Sequence, residues 1–259
     1  MSHLQLRAAD GHTFSSYIAR PADRPRGAVV VVQEIFGVTG HIERVAEQYA
    51  AEGYLAIAPA LFDRQQPGVN LAYDEAGVAR GIGYMQQADF GQVMLDLQAA
   101  IDAVDHAGAV GMVGYCWGGL VTYLAGSRTS VAAGVAYYGG GITQFLEPVP
   151  RCAMQFHFGE QDAHIPLSDV EQIRAAFPQG EYHFYAAGHG FNCTDRASYD
   201  AAAAVQAFER AKEFFGQYLG ECPHPNPLPR CGRGSRQDPQ PSPQPSPALR
   251  DRAKRRDPT

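Results

Sequence analysis

Val110-Gly111-Met112-Val113-Gly114-Tyr115-Cys116-Trp117-Gly118-Gly119-Leu120 is the stretch from which the architecture can be read. Its first half is a short apolar run, the pattern of a strand buried on both faces, and the segment after Gly119 reads as an apolar helix over 120–127. Between them lies Gly-x-Cys-x-Gly, the spacing of a nucleophile elbow with cysteine where serine usually stands. Such a turn is so sharp that small residues must flank the nucleophile. Gly114 and Gly118 supply them, and Gly119 permits close packing of helix on sheet. The N-terminus of the helix also favours negative charge developing on the sulfur. An ordinary buried cysteine is the competing reading, since free cysteine is among the most buried residue types. The strand before, the helix after and both glycines favour the elbow.

The pattern repeats outward from this point. Residues 28–33 form a β-branched run, and 54–58, 131–138, 152–158 and 182–185 are similar short apolar segments. Helices are predicted between and after them, over 42–52, 90–106, 167–177 and 199–218. The last carries Ala203, Phe208, Ala211, Phe215 and Tyr218 at helical spacing, enough for one buried stripe. Strands alternating with helices predict an α/β fold with a mostly parallel central sheet and helices on both faces. In such sheets the reactive groups gather beyond the carboxyl ends of the strands.

A nucleophile elbow needs an acid and then a histidine later in the chain. After the 152–158 strand stands Gly159-Glu160-Gln161-Asp162-Ala163-His164-Ile165-Pro166, a short acidic loop closed by proline. Asp162 is the favoured acid and Glu160, nearer the strand end, its rival. After the 182–185 strand stands Ala187-Gly188-His189-Gly190-Phe191, where flanking glycines free the backbone so that the imidazole can swing over the elbow. His189 is the favoured histidine, with His164 as competitor. His157 and His183 lie inside strands and read as core or surface groups.

Composition bounds the rest. A chain of 259 residues with 45% hydrophobic content can bury a substantial core, and a net charge of −6 argues against nucleic acid or an anionic membrane as partner. No apolar run reaches the roughly 18 residues that span a bilayer, and residues 1–10 lack a basic-then-apolar signal layout. Five cysteines in irregular spacing, Cys116, Cys152, Cys193, Cys222 and Cys231, fit a reduced cytosolic setting better than a disulfide framework. Composition shifts near Gly220: residues 221–259 lack any aromatic and hold ten of the 18 prolines. This reads as a disordered, dispensable tail. It carries eight basic against four acidic residues, which leaves 1–220 near −10.

With these motifs in place the chain resembles the dienelactone hydrolases, also called carboxymethylenebutenolidases, of the α/β-hydrolase superfamily. The resemblance covers residues 1–220 and rests on Gln33-Glu34-Ile35-Phe36-Gly37, the Gly114–Gly119 elbow, and the Asp162 and His189 loops in that order. It implies an eight-stranded sheet and hydrolysis of an ester or lactone through an acyl-cysteine intermediate, with no cofactor and no metal. Cys116, Asp162 and His189 would form the triad, and Glu34 would take the thiol proton when substrate displaces it. The oxyanion hole would be the backbone N–H groups of Ile35 and Trp117. A surface ion pair of Glu34 with Arg44 is the alternative.

Family members acting on dienelactone hold its carboxylate with arginines. None stands just after His189 here; Arg196 lies further on, and Arg80 is the only cation of the earlier segment. Phe36, Tyr84, Tyr137 and Tyr138 are read as the substrate pocket, beside Trp117, which favours an apolar or aromatic small molecule. A monomer or homodimer is expected. A thiol redox protein built on Cys116 and a non-catalytic scaffold are the two rival functions.

Overall fold

Burial on both faces is what selects the central strand. Every residue of β3 (Ala28–Val32) is fully buried, and four of its five residues are valine. The computed structural model describes residues 2–220. The reading of 221–259 as a disordered tail lies outside them.

Around β3 the chain builds an eight-stranded sheet in the order β1-β2-β4-β3-β5-β6-β7-β8. The other strands are β1 (Ser2–Arg7), β2 (Thr13–Ala19), β4 (Leu55–Pro59), β5 (Val110–Tyr115), β6 (Ala133–Tyr137), β7 (Ala153–Gly159) and β8 (Glu181–Tyr185). β1 and β2 pair antiparallel, as do β2 and β4, and the remaining pairs are parallel. The helices are α1 (Gly40–Ala51), α2 (Glu75–Gln87), α3 (Phe90–Val104), α4 (Trp117–Arg128), α5 (Leu167–Ala176) and α6 (Ala201–Leu219). Strand alternation sends Gly111 and Gly114 of β5 to opposite faces. A Cβ on Gly111 would meet Phe215 and Leu219 of α6, whereas one on Gly114 would meet Thr122 of α4. Tyr49 ties α1 to α6 through edge contacts with Phe208 and Phe215.

Three elements were not anticipated from sequence. β1 has one buried residue among six, so as a solvated edge strand it presents no apolar run. Its hairpin partner β2 follows the Asp10-Gly11 turn, where Gly11 takes φ +90. α2 carries Gly77, Gly81 and Gly83, which lower helix propensity. Packing explains two of them: a Cβ on Gly81 would stand 2.4 Å from the Ile35 carbonyl, and one on Gly77 would stand 1.9 Å from that of Ala72. α2 is capped by Asp74, whose side chain accepts from the Gly77 N–H at 2.7 Å. Through Gly81 it rests on the loop that follows β3, one wall of the site.

Candidate active site

The elbow is built as its glycines require. Cys116 sits at φ 55, ψ −118, a region that costs a non-glycine residue about 1–3 kcal/mol. That strain lifts its half-buried side chain clear of the sheet between β5 and α4. A Cβ on Gly114 would lie 1.9 Å from the Gly118 carbonyl, and one on Gly118 would lie 2.5 Å from that of Val32. Only glycine lets the two chain ends and β3 pass this closely. Trp117 is the first residue of α4, so its backbone N–H is among the donors a helix cannot satisfy internally. Its buried ring stacks on Phe62 with centroids 5.0 Å apart.

The two loops meet as their order suggested. His189 Nδ1 and Asp162 Oδ2 are 2.8 Å apart, and Asp162 Oδ1 accepts the His164 N–H at 2.8 Å. Burial pushes the Asp162 carboxyl up, but the His189 hydrogen bond and charge outweigh it and hold it below the usual range. Burial likewise pushes His189 down. Hydrogen bonds with Asp162 and Cys116 more than reverse this and raise it to about 10. His189 is therefore the ring on which both Asp162 and Cys116 act. His164 is exposed and meets His189 edge-on at 5.1 Å, and Glu160 is exposed. His157 is core, bonded to Tyr185 and Gln155.

Raising the imidazole has a measurable consequence. Its folded value lies above the ordinary 6.5, so the His189–Asp162 interaction adds stability below about 6.5 and loses it as the pH climbs to about 10. NMR titration of the His189 ring should give a midpoint near 10 in the wild type and a clearly lower one in Asp162→Asn. The wild type's stability margin over that variant should shrink between those pH values. An unchanged midpoint in Asp162→Asn would show that the carboxylate does not hold the proton there.

Glu34 is completely buried, so the surface pair with Arg44 is corrected. Arg44 instead pairs with Asp195. The Glu34 Oε1 accepts from Arg196 Nη1 at 3.3 Å. Burial raises the Glu34 carboxyl, partly offset by the charges of Arg196 and His189 and by the nearby Tyr73 phenol.

Arg196, which sequence reasoning placed too far along the chain, thus enters the site. Two turns fold it back: the Cys193 N–H donates to Gly190 O and the Arg196 N–H to Cys193 O. Its guanidinium lies over the Phe36 ring, 5.7 Å from the centroid. Gly190 was the available signal. It takes φ +78, and a Cβ there would stand 2.6 Å from Arg196 Nη1. Gly190→Ala should therefore cost roughly 1–2 kcal/mol for the left-handed backbone. It should also lower kcat/KM by displacing the guanidinium. Denaturant midpoints and steady-state kinetics together check this, and wild-type values in both would refute the clearance argument.

The four pocket aromatics divide. Phe36 meets Tyr73 at 4.4 Å, its ring tilted, beneath Arg196, and Tyr138 meets His189 at 5.1 Å. Half-buried Tyr84 joins Phe62 and so borders Trp117. Tyr137 does not line the site. As the last residue of β6 it is sandwiched between Tyr115 at 4.7 Å and His157 at 4.4 Å, fully buried in the core. Arg80 is exposed on α2. Two residues not singled out, His41 and Tyr73, border Glu34, together with Cys193. Cys116, Cys152 and Cys193 are not joined in a disulfide.

No described helix is long and apolar enough to cross a membrane. The dienelactone hydrolase family profile matches residues 14–219. A protein assigned as a carboxymethylenebutenolidase in Synechocystis is 35% identical over 222 residues, covering 78% of this chain and 90% of that one. The carboxymethylenebutenolidase of Pseudomonas putida is 34% identical over 231 residues, covering 85% and 98%. A crystal structure assigned to a dienelactone hydrolase of Klebsiella pneumoniae superposes with a TM-score of 0.74 at 30% identity, over 84% of this chain and all of that one. With this architecture and these relatives, the chain belongs to the dienelactone hydrolase family of the α/β-hydrolase fold and is an ester- or lactone-cleaving hydrolase.

Proposed function

We propose that the protein hydrolyses a small carboxylic ester or lactone through an acyl-cysteine intermediate formed on Cys116. The observation that carries this reading is the 2.8 Å pairing of His189 with Asp162, with Cys116 acting on the same imidazole from an elbow. Cys116 Sγ attacks the substrate carbonyl once its proton has passed to Glu34. The developing oxyanion is received by the backbone N–H groups of Trp117 and Ile35. His189, an imidazolium steadied by Asp162, donates its Nε2 proton to the departing oxygen as the C–O bond breaks. Water then attacks the thioester with His189 as base, which restores the imidazolium; the acid leaves as the thiolate is expelled, and Glu34 returns its proton to the sulfur.

Glu34 has its place at the first step. While Arg196 holds its Oε1 the carboxylate is stabilised as an anion. A substrate carboxylate competing for Arg196 would free Glu34 to accept the thiol proton. This favours a substrate with an anionic group near the scissile bond, with Phe36, Tyr84 and Trp117 covering its apolar part.

A panel of chromogenic esters and lactones, neutral and carboxylated, tests the reading with wild type and Cys116→Ala. Turnover is expected only with Cys116, and faster for the carboxylated members. No turnover of any member by the wild type, or equal turnover by both proteins, would defeat the proposal.

A further inference from the structure

Beside Glu34 lie two buried groups that ester hydrolysis does not use. Glu34 comes from the loop after β3, His41 from the first turn of α1 and Cys193 from the loop after β8. One donor atom from each lies within 4.8 Å of the other two, and all three residues are buried. Glu34 Oε2 and His41 Nε2 are buried with no partner in hydrogen-bond geometry, the Tyr73 phenol being the polar group nearest to acting on Glu34. Buried polar atoms usually find a partner, and these two belong to residues of one cluster. A cation would satisfy both.

We propose that Glu34, His41 and Cys193 form a binding site for a zinc-type divalent cation, held by carboxylate, imidazole and thiolate. These three ligand types suit zinc, and three protein ligands leave a fourth position for water. Tetrahedral zinc with bonds of roughly 2.0–2.3 Å sets its ligands about 3.3–3.6 Å apart, so the trio needs to close by about an ångström. Cys193 releases its thiol proton to solvent as the ion binds. The two anionic ligands then offset the ion's charge, while Arg196, still holding the other oxygen of Glu34, leaves one positive charge at the site. Of the three ligands His41 also lines a cavity of about 250 Å³ between α1, α6 and the loop carrying Cys193, bordered by Arg44, Asn192, Thr194, Tyr199 and Phe208.

The ion would be inhibitory, not catalytic: a Glu34 fixed on a metal cannot take a proton from Cys116. That consequence rests on the proposed hydrolytic mechanism; the binding does not. Cobalt(II) titration of the full chain under reducing conditions separates the two, because a thiolate ligand gives a near-ultraviolet charge-transfer band without any turnover. The band is expected in wild type and in Cys116→Ala. Affinity should fall by more than about 100-fold in Cys193→Ser and in His41→Gln, beyond the 10–100-fold that losing an outer-shell partner costs. Zinc should displace cobalt and inhibit ester turnover, with chelator restoring it. Should Cys193→Ser fail to fold, His41→Gln at the cavity wall decides the matter. A band that survives Cys193→Ser or His41→Gln, or that vanishes in Cys116→Ala, would overturn the site, as would no band at millimolar cobalt. Binding without inhibition would retain the site and count against the role of Glu34.

Discussion

Cys116→Ala is expected to abolish turnover, with kcat falling by on the order of 10⁶, the loss seen when a triad loses its nucleophile. The fold should be untouched, since alanine occupies the same strained backbone as cysteine and only the sulfur is removed. Cys116→Ser should recover at most a small fraction. A hydroxyl is a far weaker acid than a thiol, and surroundings that favour a thiolate cannot easily deprotonate it. Iodoacetamide should inactivate the wild type, and substrate should protect it. Cys152 and Cys193 are buried while Cys116 is half-buried, so among the described cysteines the elbow is the accessible one. Peptide mapping assigns the modified residue. Full activity after complete alkylation of Cys116 would remove the cysteine mechanism.

Glu34→Gln is expected to lower the acylation rate by roughly 10²–10⁴-fold, the usual contribution of a positioned general base. The amide keeps the shape of the side chain, and its oxygen can still accept the Arg196 hydrogen bond. Folding should survive, because a neutral amide is cheaper to bury than a carboxylate. Single-turnover kinetics with an activated ester isolate the step. Asp162→Asn should also slow the enzyme, through loss of histidine orientation and charge stabilisation, and the two are told apart by the His189 titration, which Asp162→Asn lowers. A well-folded Glu34→Gln enzyme that acylates at the wild-type rate would leave Cys116, His189 and Asp162 as a plain triad.

What the sequence determined by itself was whatever local sterics and periodicity control. β3 and β5 were legible because strands buried on both faces carry unbroken apolar runs. The elbow was legible because three glycines at fixed spacing are needed where backbones cross within 3 Å of a would-be Cβ. Asp162 and His189 could be named because each sits in a short loop just beyond a strand of a parallel sheet. The tertiary structure decided what depends on distant segments meeting. β1 stayed hidden because an edge strand can be solvated, and α2 because its glycines answer to the Ala72 and Ile35 carbonyls rather than to helix propensity. Tyr137 and Tyr138 are neighbours in sequence, yet one is sealed in the core and the other reaches His189. Arg196 meets Glu34 across 162 positions of chain, a pairing that no spacing rule contains. Local rules singled out Cys116, Asp162 and His189; folding alone could bring to them the buried carboxylate, its arginine and the groups of His41 and Cys193.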